Sequence, residues 1–274
     1  MEIIKKYESF QQDVIKIKLD NGTIAIRKKI ISDYSWWNYD KCDVYAREKN
    51  SYSLLSGEIN TFNLIKYLDA KKTLLIQWCE NDRFDSKIFS KSIGSIIDKL
   101  KKMRSITCGD LLDTFTFDTF ISHFVEMGFK CRINEKLIFE IINMLKSWKS
   151  DMMPNGYLHG DLHIGNMLQK NCNILGFIDF EEALSGPPAF DAANLGLSVH
   201  YEFGKKVYDE FKQQYEKEIG EKLISSQDWS RFCFIRNWIA SEYLRKFCSS
   251  EIFKSAEGFL MKTASPEHGP SMSI

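Results

Sequence analysis

The sequence predicts an α+β fold in two unequal parts. A small β-rich N-terminal lobe spans residues 1–80, a larger and mainly helical lobe spans residues 83–274, and a hinge joins them at about 77–82. Three observations predict this. An Asn21-Gly22 step separates two short runs of alternating apolar residues. A compact apolar run at 74–79 reads as one more strand. Beyond it the apolar residues fall at spacings of three and four, the helical period.

The elements follow in order. Val14, Ile15, Ile17 and Leu19 lead into Asp20-Asn21-Gly22, and Ile24 and Ile26 come next. Asn-Gly tolerates positive φ, so the pattern predicts a hairpin. Residues 43–55 read as a helix, with Val44, Tyr45, Tyr52 and Leu55 on its apolar face. Leu74 to Cys79 reads as a buried strand that stops at Glu80-Asn81-Asp82. Ile93, Ile96, Ile97, Leu100 and Met103 mark one helix, and Ile138, Ile141, Ile142, Leu145 and Trp148 mark another. The second ends before Met153-Pro154-Asn155-Gly156, a cluster of chain breakers. Residues 205–219 and 228–248 read as two further amphipathic helices. Between them and the breakers, residues 157–195 carry short apolar runs separated by polar residues and glycines.

Composition narrows the class. Lys+Arg and Asp+Glu both total 37, so no basic surplus points to nucleic acid. The 20 phenylalanines are expected to fill a core. The seven cysteines include no C-x-x-C pair, which argues against a zinc site and a disulfide framework. Met1-Glu2-Ile3-Ile4-Lys5-Lys6 lacks a signal-peptide apolar run, and no stretch approaches the roughly 18 apolar residues that span a membrane. The expectation is a reduced, cytoplasmic protein, monomer or homodimer, with no membrane or nucleic-acid partner.

The string richest in chemistry is His159-Gly160-Asp161-Leu162-His163-Ile164-Gly165-Asn166. Asp179, within Ile178-Asp179-Phe180, follows thirteen residues after Asn166. Phosphoryl transfer asks little of a protein beyond a carboxylate that orients the acceptor hydroxyl and takes its proton, and oxygen ligands that hold Mg²⁺ against phosphates. An Asp, an Asn five residues on, and a second Asp beyond a β-hairpin supply that set.

Together with Gly186-Pro187-Pro188-Ala189-Phe190-Asp191-Ala192-Ala193, these blocks resemble the catalytic core of the aminoglycoside phosphotransferase and choline kinase family. The resemblance implies a protein-kinase-like two-lobe fold and transfer of a phosphoryl group from Mg-ATP, or GTP, to a small molecule's hydroxyl. It makes Asp161 the catalytic base, Asn166 and Asp179 the Mg²⁺ ligands, and His159 and Asp191 structural braces. Ala25-Ile26-Arg27 is similar to the third-strand pattern of kinases, so Arg27 is expected at the nucleotide phosphates, with Lys28 and Lys29 as competitors. Glu48 lies on the apolar face of its helix and needs a cation, for which Arg27 is the expected partner. Gln77 to Cys79 would read the adenine through the backbone. The stretch Ser9-Phe10-Gln11-Gln12-Asp13 departs from the family in lacking a glycine over the phosphates.

The expected acceptor is small, hydroxyl-bearing and cationic, either aminoglycoside-like or choline-like. Family members mostly bind amines. Glu181 and Glu182 come two and three residues after Asp179, the metal ligand that the resemblance implies, and Trp238 and Glu242 share a helix face, where an aromatic beside a carboxylate suits an ammonium. Two other classes fit parts of the pattern. Asp161-Leu162-His163 has the spacing of a di-metal hydrolase ligand pair, but only five histidines exist and none clusters. A kinase-like module that binds nucleotide with weak or no turnover would share every motif and differ in catalysis.

Overall fold

The computed structural model describes residues 1–7, 12–31, 43–57, 59–130, 134–149 and 156–247. Ser9 to Gln11 and the breakers Met153 to Asn155 lie outside the described residues. The α+β class and the order of its parts agree with the sequence.

Five antiparallel strands open the chain: β1 (Glu2–Tyr7), β2 (Gln12–Lys18), β3 (Ile24–Ile30), β4 (Leu64–Leu68) and β5 (Thr73–Gln77). They are ordered β1-β2-β3-β5-β4. The β2–β3 hairpin turns where expected, but through three residues. Gly22 N–H donates to the Leu19 carbonyl at 2.9 Å, and Leu19 N–H donates to the Thr23 carbonyl at 2.8 Å. Gly22 alone takes positive φ, +84°, while Asn21 accepts from Thr23 N–H. A type I turn closed by a left-handed glycine fits that bonding.

The sheet has two different faces. Ile15, Ile17 and Ala25 form a small buried cluster with Leu19 and Leu75 on the outer face. Ile26, Ile30, Leu74 and Ile76 belong to the main core on the inner face. The helix α1 (Val44–Leu55) packs there, started by Asp43, whose side chain accepts from Ala46 N–H at 2.8 Å. Val44, Tyr45, Glu48, Tyr52 and Leu55 are buried, as their spacing predicts.

The remainder is helical around two short hairpins. It comprises α2 (Ser86–Arg104), α3 (Phe117–Lys130), α4 (Glu135–Lys149), α5 (Ala189–Phe203), α6 (Lys205–Ile219) and α7 (Ser226–Phe247). Strands β6 (Gly156–Leu158) and β9 (Leu184–Gly186) pair, as do β7 (Met167–Lys170) and β8 (Asn173–Phe177). The core is aromatic, as expected. Trp148, Phe190, Trp229 and Phe232 contact one another at centroid distances of 5.1–6.2 Å. Each such buried side chain contributes about 1.5–3 kcal/mol of hydrophobic stabilisation.

Two devices set β6, which carries the residues of interest. The Arg104 guanidinium forks onto Glu221 at 2.5 and 2.8 Å, joining the end of α2 to the segment before α7. At Gly156 a Cβ would stand 2.5 Å from the Arg104 carbonyl oxygen, so only glycine lets β6 pass beneath α2.

Candidate active site

The His159–Asn166 segment leaves β6 and is pinned from three sides. Asp191, buried in the first turn of α5, accepts from His159 N–H at 2.6 Å and Gly160 N–H at 3.0 Å. Burial pushes its carboxyl up to about 7, against those two bonds, which favour the ionised form. The buried His159 ring meets the Ile178 carbonyl through Nε2 at 2.9 Å and accepts from Asp161 N–H through Nδ1 at 3.3 Å. That pattern places its proton on Nε2, and burial lowers its pKa to about 4, so the ring is neutral at pH 7. Asn194 of α5 donates to the Leu162 carbonyl at 3.1 Å and accepts from Trp229 of α7. Gly160 has φ +82°, and a Cβ there would lie 2.0 Å from the Glu182 carbonyl oxygen.

So braced, Asp161 presents a carboxylate whose side chain is 46% exposed, 3.8 Å from His163 Nε2. Asn166 is buried, and its Nδ2 donates to the Asp161 carbonyl at 3.0 Å. That bond fixes which end of the amide is left as an oxygen donor. The Asn166 carbonyl accepts from Ile178 N–H at 3.0 Å, tying the loop to the segment that carries Asp179. Asp179 sits at φ +69°, a conformation rare for a non-glycine residue and often found where a side chain is aimed for function.

Opposite it stands Lys28, not Arg27. Lys28 Nζ lies 2.6 Å from Asp179, 2.8 Å from Glu48 and 3.8 Å from Glu181. The expected Arg27–Glu48 pair is therefore wrong by one residue. Arg27 points to the outer face, where it bonds Asp13 at 3.1 Å. Ala25 also lies on that outer face, with Ile15 and Ile17, away from Lys28. The register couples them: β3 alternates, so a one-residue slip exchanges the faces. The alternation itself was legible, and the partly buried Ile26 and buried Ile30 share the face of Lys28.

Three carboxyl groups crowd around one ammonium. Burial opposes the charge on Lys28, but Asp179, Glu48 and Glu181 outweigh it and hold its pKa well above the ordinary value. Burial would raise Asp179 too, yet Lys28 keeps it below the usual carboxylate range. Glu48 is raised by burial, and Glu181 by burial to about 9. Oxygen atoms of Glu48, Asp179 and Glu181 all lie within 4.8 Å of one another. A set made only of carboxyl oxygens suits a hard divalent cation such as Mg²⁺, which would displace the proton that burial favours on Glu181.

The remaining expected residues divide. Glu181 faces Lys28, and its backbone carbonyl accepts from Arg47, so it is part of the charge cluster. Glu182 is half-buried, with its carbonyl beneath Gly160. Trp238 is 42% exposed, off the buried stripe of Phe232, Ile235 and Ile239. Glu242 bonds Arg245 on its own helix at 2.6 Å. Gln77 N–H donates to the Asn63 carbonyl and Trp78 N–H to the Ile24 carbonyl, so neither amide is available to a base. Cys79 follows them, half-buried. Gln12 belongs to the stretch that lacks a glycine. It is buried in β2 and donates to Asp179 at 3.2 Å.

Residues 129–234 match the model of the phosphotransferase enzyme family, a segment that holds His159, Asp161, Asn166, Asp179 and Asp191. No curated protein sequence matches the chain. Solved structures match across nearly all of it. An ethanolamine kinase from Plasmodium vivax superposes with a TM-score of 0.67 at 15% identity, covering 97% of this chain and 83% of that one. A thermostable mutant of aminoglycoside phosphotransferase APH(4)-Ia, in ternary complex with ADP and hygromycin B, gives 0.65 at 10% identity, covering 96% and 94%. Macrolide 2'-phosphotransferase MphH from Brachybacterium faecium gives 0.64 at 12% identity, covering 98% and 93%. The fold is protein-kinase-like, and the resemblance read from the three motifs holds for both family pattern and fold. Among the described residues no helix is long and apolar enough to cross a membrane.

Proposed function

We propose that this chain, whose residues 129–234 carry the phosphotransferase-family pattern, transfers the γ-phosphoryl group of ATP to a hydroxyl of a small molecule. The observation that carries this is the pairing of a half-exposed Asp161 with a half-exposed Asp179 that meets the buried Lys28–Glu48 pair, joined through Asn166. Residues 1–80 form the nucleotide half and residues 83–274 the catalytic and acceptor half.

Asp161 orients the acceptor hydroxyl and takes its proton as the new O–P bond forms and the bond to the β-phosphate breaks, with ADP leaving. Lys28 faces the nucleotide phosphates, held in place by Glu48. Asn166 and Asp179 hold Mg²⁺, with Glu181 a further oxygen donor beside them. When bound, the ion neutralises charge on the phosphates and fixes their geometry. His159 and Asp191 keep the loop rigid, so the base does not have to be ordered in each turnover.

The acceptor class we propose is a hydroxyl-bearing amine. It rests on the names of the relatives, an ethanolamine kinase and aminoglycoside phosphotransferases, since Glu181 and Glu242 have other partners. The test is ATP consumption with a panel of amino alcohols, aminoglycosides, macrolides and neutral sugars, with products identified by mass spectrometry. A phosphorylated amine is expected. A phosphorylated neutral sugar would remove the amine reading and leave the kinase reading standing. Loss of γ-phosphate to water alone, with every acceptor, would remove both.

A further inference from the structure

The metal-site aspartate is reached from an unexpected direction. Asn60 follows α1 by five residues and is 1% exposed. Its Oδ1 accepts from Phe177 N–H at 2.9 Å, and its Nδ2 donates to the Phe177 carbonyl at 3.2 Å. One amide side chain thus closes both backbone groups of a residue two positions before Asp179. The approach is tight: Gly176 has φ +152°, and a Cβ there would lie 2.3 Å from Asn60 Oδ1. The same seam continues through Thr61, whose N–H and hydroxyl both donate to the Leu175 carbonyl, at 2.8 and 3.0 Å. Lys99 Nζ donates to the neighbouring Ile59 carbonyl at 2.5 Å.

We propose that Asn60 is a positioning residue for the metal site, fixing Phe177 so that Asp179 is held in its left-handed conformation against Lys28. This rests on the reading of Asp179 as a metal ligand. The physical reason is the cost of Asp179's backbone. A non-glycine residue at φ +69° persists only where its surroundings over-determine it. Downstream the restraint comes from Lys28 and Gln12 on the Asp179 carboxylate. Upstream it comes from the two-point bond of Asn60. A side chain that offers one acceptor and one donor in a plane matches a peptide's N–H and C=O, and among the small side chains only asparagine offers both on adjacent atoms. Asn60→Asp keeps the acceptor for Phe177 N–H but sets an oxygen against the Phe177 carbonyl. Thr61→Val removes a hydrogen bond from the same seam without touching Phe177.

The experiment measures Mn²⁺ binding in the presence of ADP by electron paramagnetic resonance, with melting temperature as a second readout, on Asn60→Asp, Asn60→Ser, Thr61→Val and Asp179→Ala. The proposal expects Mn²⁺ affinity to fall about fivefold or more in both Asn60 variants and to stay within about twofold of wild type in Thr61→Val, even where the melting temperatures drop alike. It is overturned if the Asn60 and Thr61 variants change affinity equally, or if the Asn60 variants lose stability and keep wild-type affinity. Should Asn60→Asp not fold, Asn60→Ser decides by the same criterion. Asp179→Ala separates the two levels. If it abolishes Mn²⁺ binding while the Asn60 variants do not weaken it, only the positioning role falls. If it binds Mn²⁺ like wild type, the metal-site reading falls and the positioning role with it.

Discussion

Lys28 is the residue on which the charges of the site converge, and its neighbour Arg27 provides the natural control. Lys28 is buried with Glu48, at 6% and 0% side-chain exposure, whereas Arg27 and Asp13 are 28% and 44% exposed. A double-mutant cycle on Lys28 and Glu48 should give a coupling well above the roughly 0–1 kcal/mol of exposed pairs. The same cycle on Arg27 and Asp13 should fall inside that range. Lys28→Met should also weaken Mg-nucleotide binding and turnover by roughly tenfold or more, with Arg27→Met within a few-fold of wild type. Equal effects at the two positions would restore Arg27 as the candidate. The sequence could separate the faces of β3 but could not say which is the inner one, because both bury apolar residues: Ala25 with Ile15 and Ile17 outside, Ile26 and Ile30 inside. The motif residues needed no such choice. Asp161, Asn166 and Asp179 were legible because chemistry fixes their spacing, whereas Asn60 and Gln12 reach the site only through tertiary contact.

At the scale of elements, the turn after β6 decides where Asp161 stands. Gly160 and Gly204 offer a matched comparison. Both have φ near +82°, but a Cβ at Gly160 would meet the Glu182 carbonyl at 2.0 Å, and one at Gly204 would meet nothing within 4 Å. Alanine at either site is strained by the positive φ, at a cost of about 1–3 kcal/mol, and Gly204, with ψ 173°, lies in a region that glycine almost alone enters. Gly160→Ala must in addition shift the loop, so kcat should fall by roughly tenfold or more, while Gly204→Ala lowers the melting temperature and leaves kcat within about twofold. Equal kcat in the two variants would mean that the turn does not position Asp161. Elements with one apolar face were legible from periodicity: α1, α2, α4, α6 and α7 all bury the stripes their spacing marks. Strands β1 and β4 were not, since they are exposed edge strands with almost no buried residue to set an alternation. Helix α5 escaped for the opposite reason. It buries Ala189 to Ala193, Leu195, Gly196 and Val199, with too little polar residue in its first turns to show a period.

At the scale of the whole molecule, one buried cluster runs from Ile30 of the sheet through α1 to Ile239 of α7. Asn60, Arg47 and Lys28 bond across to Phe177, Glu181 and Asp179. A core shared in this way predicts that sheet and helices melt together, in one calorimetric transition whose van't Hoff and calorimetric enthalpies agree. Two separated transitions would mean that the halves are independent. Mg-ATP should raise that transition and Asp179→Ala should abolish the rise, since a ligand at 100 times its Kd adds about 2.7 kcal/mol. The central claim is narrower, that Asp161 is the base of a phosphoryl transfer. It is tested most directly by following labelled γ-phosphate from ATP to an accepted hydroxyl compound in wild type and Asp161→Asn, with Mg-nucleotide affinity measured on both. In Asp161→Asn kcat is expected to fall by roughly 10²-fold or more while nucleotide affinity is unchanged. Near-wild-type turnover in Asp161→Asn would contradict it.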